Sequence, residues 1–301
     1  MELIIEEPHN KFVLQIYLGK RFRYPSVTDV VFVSSDRIVV AHRYACKLYY
    51  IQFSDPCYSH HRIVDELVLH VNGKQHQTEM MDISGNTIYL ISYSEYLTII
   101  DIVADTLCVR KTVLLNQTQS PYHGIQVYMN YVYITPSNKA AGDDRIIVWN
   151  TEHDNIAHKL TSPDIGPNIR IKDIAFLSDT RIILLGNYKT INAMTNKGHT
   201  FNGFIGLYTH EFRELDIVPY STTHFDSVTS KDGVFYATGS DLEGGYIYVG
   251  STVDDKLSAI VKHPVQDFPH GITVYNDKLA YTSYATSAVY ITDVASYAQN
   301  T

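Results

Sequence analysis

The chain of 301 residues is poor in cysteine, in basic charge and in long apolar runs, and each shortage removes a class of protein. Its three cysteines, Cys46, Cys57 and Cys108, lack CxxC spacing and are odd in number, which argues against a disulfide framework or a zinc ribbon. Lysine and arginine total 24 against 32 aspartates and glutamates, a formal charge of −8. A nucleic-acid partner is therefore not expected, because that binding needs a basic face to displace counterions. The one basic cluster, Lys20-Arg21-Phe22-Arg23, is short and reads as a solvated connection. No stretch reaches the ~18 apolar residues of a membrane span. The acidic start, Met1-Glu2-Leu3-Ile4-Ile5-Glu6-Glu7, has no basic region ahead of an apolar one. A soluble, cytoplasmic protein is expected, so the sequon Asn116-Gln117-Thr118 is given no role. There is no GxSxG elbow, HExxH pair, phosphate-binding glycine loop or EF-hand loop. His60 and His61 are adjacent and would point to opposite faces of a strand, which makes them a poor metal pair.

What the chain does have is tyrosine, 24 copies, and short alternating strand patterns from end to end. Two segments are near copies: Tyr122-His123-Gly124-Ile125-Gln126-Val127-Tyr128 and Pro269-His270-Gly271-Ile272-Thr273-Val274-Tyr275. Four weaker copies complete a series whose openings stand 44 to 51 residues apart, enough for four short strands and their hairpins. The expected fold is all-β, a six-bladed β-propeller of four-stranded antiparallel blades forming a single domain. The blades are placed at 24–71, 76–116, 120–162, 168–220, 222–264 and 267–296. The sixth unit has only three strands, and Lys11–Leu18 is a spare strand ahead of the first. The segment 11–19 is therefore expected to complete the last blade and close the ring, so that the ring cannot open without losing a ladder of hydrogen bonds.

In a propeller the first strand of each blade lines the central channel. Aligning the units places Asp29, Glu79, His123, Asp173, His224 (offset by one) and His270 at the channel entry. Such a ring would shift the pKa values of its members and would suit a divalent cation. His123 and His270 are the candidate general bases, because imidazole titrates near ~6.5. Asp29, Glu79, Asp173 and His224 are the candidate metal ligands. The glycine after each of these two histidines permits close backbone approach, so a structural role in binding neighbouring blades stands beside the chemical one. The loops at the same mouth offer His42, Arg43, Tyr44, Tyr93, Lys139, Asn187, Tyr188, Lys189, Asp241 and Tyr284, a mixture suited to a polar organic ligand. The long connection Asn187–Gly203 would hang over this mouth as a lid.

The closed six-blade pattern and the His-Gly-Ile strand entries resemble the six-bladed propeller superfamily of gluconolactonase- and paraoxonase-like hydrolases, strictosidine-synthase-like proteins, and NHL-type and TolB-like propellers. Similar His-Gly pairs occur in streptogramin-inactivating lyases. The lactonase-like resemblance implies a central calcium, with Glu79 and Asp173 as acid ligands and His123 or His270 as the base. The aligned positions hold no asparagine, which that group uses, so the metal is either calcium or a transition metal, or the site works without one. Two functions follow as expectations. One is a funnel binding a sugar, lactone or organic acid, with metal-assisted hydrolysis or elimination as its chemistry. The other is a non-catalytic scaffold that captures a peptide or protein on its tyrosine-rich rim.

Overall fold

A computed structural model describes residues 12–15, 26–92, 95–115, 122–136, 146–160, 169–188, 202–265 and 268–298. Six four-stranded antiparallel sheets stand around a central channel. Their inner strands are Val27–Ser34, Thr78–Ser84, Tyr122–Tyr128, Ile169–Ser178, His224–Lys231 and Pro269–Tyr275. The sixth sheet takes its outermost strand from the other end of the chain: Phe12–Gln15 pairs with Ala288–Asp293 through Phe12 opposite Ile291 and Gln15 opposite Ala288. The expected six-bladed propeller and its closure by the N-terminal strand are thus what the chain forms.

Each blade is apolar on both faces because each has a neighbour on both sides, which is why the second strands read as continuous apolar runs rather than alternations. In Arg37–His42, Ile38 and Val40 pack with Ala280, Val289 and Ile291 of blade 6. Val39 and Ala41 pack with Met81, Ile88 and Leu90 of blade 2. Among the described residues the core is accordingly divided into six clusters, each filling one seam between adjacent blades. Much of the tyrosine goes here: Tyr49, Tyr50, Tyr208, Tyr248 and Tyr281 are fully buried. The cysteines are free thiols, as expected. No helix among the described residues is long and apolar enough to cross a membrane.

The entrance of every inner strand carries the same irregularity, two residues set against one on the second strand. The pairs are Thr28–Asp29 against Ala41, Glu79–Met80 against Ile91 and His123–Gly124 against Thr135. They continue with Lys172–Asp173 against Leu185, Asp226–Ser227 against Thr238 and His270–Gly271 against Thr282. A β-bulge of this kind breaks the strict in–out alternation and re-aims the side chains around it.

The second residue of each pair serves the seam. Asp29 Oδ2 accepts from the Met81 amide of blade 2 at 2.7 Å, and Asp173 Oδ2 accepts from the Ser227 hydroxyl at 2.9 Å and the Val228 amide at 2.7 Å in blade 5. Met80 fills the core between blades 2 and 3. Thr135 Oγ1 accepts from the Gly124 amide and donates to the Lys172 carbonyl of blade 4 at 2.5 Å. Thr282 Oγ1 likewise accepts from Gly271 and donates to the Thr28 carbonyl of blade 1 at 3.0 Å. Thr238 does the same between Ser227 and the His270 carbonyl.

The two glycines are needed for this approach. A Cβ on Gly124 would stand 2.7 Å from Asp173 Cα, and one on Gly271 would stand 2.7 Å from Asp29 Cα. Gly124→Ala and Gly271→Ala should therefore each destabilise the fold by about 1–3 kcal/mol through overpacking against backbone. Urea unfolding measures this, and a change within about 0.5 kcal/mol, the usual effect of a harmless surface substitution, would contradict the seam contact.

Candidate functional site

In blades 2 to 6 the first residue of the bulge turns to the channel, which brings Glu79, His123, Lys172, Asp226 and His270 together at one mouth; in blade 1 that residue is Thr28, whose hydroxyl faces the Ala41 carbonyl. All five are buried. Lys172 Nζ lies 2.6 Å from Asp226 Oδ1 and 2.6 Å from His224 Nε2, and that imidazole nitrogen is 3.1 Å from the same carboxylate oxygen. His123 Nε2 stands 3.8 Å from Glu79 Oε1 and 3.7 Å from Asp226 Oδ1. His270 Nε2 stands 3.9 Å from Asp226 Oδ1, and the two imidazole rings are 5.4 Å apart. The ligand atoms of Glu79, His123 and His270 all lie within 4.8 Å of one another.

His270 both faces the channel and binds sideways. Its Nδ1 is 2.9 Å from the Thr28 carbonyl oxygen of blade 1. A carbonyl can only accept, so Nδ1 carries the proton and Nε2 keeps its lone pair toward the ring centre. His123 makes no such bond, and its Nδ1 is buried without a partner among the described residues.

Burial dominates the electrostatics. It holds the His123 imidazole well below its ordinary range, reinforced by Lys172 and His270. It brings His270 down to about 4, against the opposing pull of Asp226. Both imidazoles are therefore neutral near pH 7, as a lone-pair donor must be. Burial also works against the charge of Asp226, but the Lys172 ammonium, the largest opposing influence, holds this carboxyl well below the usual range. The Lys172 ammonium is lowered by burial, partly offset by Asp226.

One side of the mouth is roofed by loop residues. Arg43 reaches across from blade 1 to Glu79 Oε2 in blade 2 and to the Tyr284 hydroxyl in blade 6, the latter at 3.2 Å. Its guanidinium also lies 5.3 Å from the Tyr284 ring centre, and that ring stacks on His270 at 5.7 Å. Tyr44 meets Tyr284 hydroxyl to hydroxyl at 3.3 Å. Just inside the ring the channel holds a void of ≈ 20 Å³ lined by Asp29, Asp82, Gln126, Ser227, Val31 and Ile272 among others, room for about one water.

The expected site residues are distributed as follows. Glu79, His123 and His270 lie in the ring, and Arg43, Tyr44 and Tyr284 lie beside it. Asp29 and Asp173 stand outside the ring: as second bulge residues they engage the seams, where backbone amides hold their oxygens, and Asp29 also borders the void below the ring. His224 stands one turn of the strand pattern outside the ring position, which Asp226 holds, and joins the cluster through Lys172. His42 is buried and its Nδ1 caps the Ala45 amide at 3.0 Å, so it shapes the turn. Asp241 caps its own turn and pairs with Lys262 at 2.6 Å. Asn187 is half-buried at the end of its strand. Tyr93, Lys139 and Lys189 fall outside the described residues, as do the side chain of Tyr188 and most of the connection Asn187–Gly203. Sequence reasoning missed Lys172 and Asp226. The signal was available in Ile171-Lys172-Asp173-Ile174 and Phe225-Asp226-Ser227-Val228, which match Tyr122-His123-Gly124-Ile125 position for position.

No family model and no curated protein sequence matches the chain. Solved structures do. Virginiamycin B lyase from Staphylococcus aureus superposes with a TM-score of 0.60 at 13% identity, over 94% of this chain and 99% of that one. A catalytically inactive His→Ala variant of that lyase with quinupristin matches equally well, with a TM-score of 0.60 at 13% identity. The WD40 repeats of RRP9 give a TM-score of 0.61 at 12% identity, over 97% and 99% of the two chains. Hydrazine synthase from Kuenenia stuttgartiensis gives 0.62 at 12%, over 95% and 83%. At these identities the likeness is one of fold, shared by enzymes and interaction domains alike.

The seam acids supply a pH test. Burial raises Asp173 to about 7 and Asp82 to about 6, above the ~3.9 of an unfolded aspartate. Between those values the folded chain holds these acids' protons and the unfolded chain has lost them, so their contribution to stability falls as pH rises from about 4 to about 7, whereas the buried His123 and His270, neutral when folded, contribute in the opposite sense. Thermal melts across this range should therefore show Asp173→Asn gaining stability relative to the parent protein as pH rises. Parallel curves would contradict a protonated Asp173.

Proposed function

We propose that this propeller binds a small polar molecule, such as a sugar, lactone or organic acid, at the mouth above the ring and acts on it as a hydrolase or lyase. One observation carries the reading: five buried titratable side chains from five blades converge on one point, and although His270, Lys172 and Glu79 also bond to neighbouring blades, further atoms hold the seams. The seams are held by the second bulge residues, by Thr135, Thr238 and Thr282, and by apolar packing. Buried charge is unfavourable to stability unless it is paired, and a hydrophobic ring would have served closure better. Its concentration at one level of the channel is what a site requires.

The roles follow from the geometry. His123 and His270 present nitrogen lone pairs at the reacting centre. Arg43 and Tyr284 hold the polar group of the ligand from the side. Lys172, Asp226 and His224 form a connected path for a proton, and His224, about a quarter exposed, is its end at the mouth. The similar fold of a lyase inactivated by one His→Ala change supports placing histidine at the centre of such chemistry.

A scaffold reading is favoured by a different observation. Leu242 is 93% exposed and Phe268 52% exposed, and with Tyr44 they stand on the same rim. WD40 propellers share the fold. Here a partner would dock on the rim and leave the ring untouched.

A thermal-shift panel of sugars, lactones and organic acids separates the two. The parent protein should be stabilised by a member of the panel, by about 2.7 kcal/mol at a hundredfold excess over Kd, and the His123→Ala/His270→Ala double variant should lose that response. Silence across the panel, or an unchanged response in the double variant, would overturn the small-molecule reading.

A further inference from the structure

The spacing inside the ring is not that of hydrogen bonds. His123 Nε2 is 3.8 Å from Glu79 Oε1 and 3.7 Å from Asp226 Oδ1, and His270 Nε2 is 3.9 Å from Asp226 Oδ1. Hydrogen bonds between nitrogen and oxygen fall at about 2.7–3.2 Å, so these atoms face one another without bonding. Donors that share one metal ion at about 2.0–2.2 Å in a tetrahedral shell stand about 3.3–3.6 Å apart; the Glu79–His123 pair at 3.8 Å is a few tenths of an ångström from this, and the ligand atoms of Glu79, His123 and His270 all lie within 4.8 Å of one another. His123 is more than nine-tenths buried, its Nε2 faces Glu79 and Asp226 at more than hydrogen-bond distance, and its Nδ1 has no partner among the described residues.

We propose that Glu79 Oε1, His123 Nε2 and His270 Nε2 together bind one divalent first-row transition-metal ion. Two imidazole nitrogens and one carboxylate are a donor set that zinc and its neighbours accept, with positions left open toward the mouth. Calcium does not fit, because two of the three donors are nitrogen. Two of the three ligands have the outer contact that a metal ligand needs, while His123 Nδ1 has none among the described residues. The Thr28 carbonyl fixes the His270 tautomer so that Nε2 offers its lone pair. Arg43 engages Oε2 of Glu79 and leaves Oε1 on the His123 side. Asp29 and Asp173 are excluded as ligands, since backbone amides already hold them in the seams.

The ion also narrows the ligand class. Arg43 and Lys172 already offset Glu79 and Asp226 in charge. An added dication leaves the centre positive, so its open position takes an anionic or polarised oxygen, as in a carboxylate or a lactone carbonyl. This last step rests on the small-molecule reading above; the metal site itself does not.

The test uses full-length protein without a histidine tag, stripped with a chelator and titrated with zinc and with cobalt(II). About one ion should bind per chain, raising the melting temperature, and cobalt should bring the visible absorption of a nitrogen- and oxygen-ligated ion. Glu79→Gln, His123→Ala and His270→Ala should each weaken zinc binding by more than about 100-fold, whereas Asp29→Asn and Asp173→Asn should keep it. Each variant is first checked for a cooperative melt. Failure of the folded, stripped parent protein to bind a stoichiometric ion overturns the proposal, as does undiminished binding in the three ligand variants. A ligand from the panel that binds the metal-free protein as well as the loaded one would sink the ion's part in recognition and leave the funnel standing. Metal binding without any response to the panel would do the reverse.

Discussion

Everything distinctive about this molecule depends on the bulge at the mouth of each inner strand. A strand that alternates strictly can send one residue to the channel and the next into a seam, but only at the rise of the pleat. Setting two residues against one gives each blade a pair of adjacent side chains with different duties. The first is released to the centre and the second is pressed against the next blade. Because the device repeats six times, the ring of first residues and the belt of seam contacts lie at nearly one level, and neither has to compromise the other.

The consequence is a concentration of buried charge that the rest of the fold can tolerate. The seams are packed with Val, Ile, Leu and Tyr, and the acids within them, Asp29, Asp82 and Asp173, each take backbone amides. Burial leaves these acids favouring the protonated state, while Asp226 at the centre is held ionised by its cationic neighbour Lys172. One chain thus keeps buried carboxyl groups in opposite states. The difference is set by what stands beside each: burial among backbone amides in the seams, and the Lys172 ammonium at the centre.

Much of this was legible in the sequence. The alternating runs, the His-Gly-Ile pair, the unit spacing and the orphan strand near the N-terminus were enough for six blades and their closure. Glycine after His123 and His270 correctly signalled close backbone approach. The bulge was not read, because its one-residue shift in phase shows only where a strand alternates, and strands buried on both faces alternate too little to display it. An alignment that ignores it mixes first and second positions, which is how Asp29 and Asp173 were placed in the channel and Lys172 was passed over. At blade 5 the same slip chose His224 over Asp226. The loops were harder still, since His42 and Asp241 look like ligand contacts in sequence and are spent on capping their own turns.

The claim that the bulge aims lone pairs at a common centre can be tested on one atom pair. Long-range nitrogen NMR of imidazole-labelled protein, with His270 assigned by its replacement with Gln, reports which ring nitrogen carries the proton. The account predicts a neutral ring protonated at Nδ1, where Thr28 accepts, with Nε2 unprotonated and facing His123 and Glu79. A His270 ring protonated at Nε2 in the folded protein at neutral pH would contradict it.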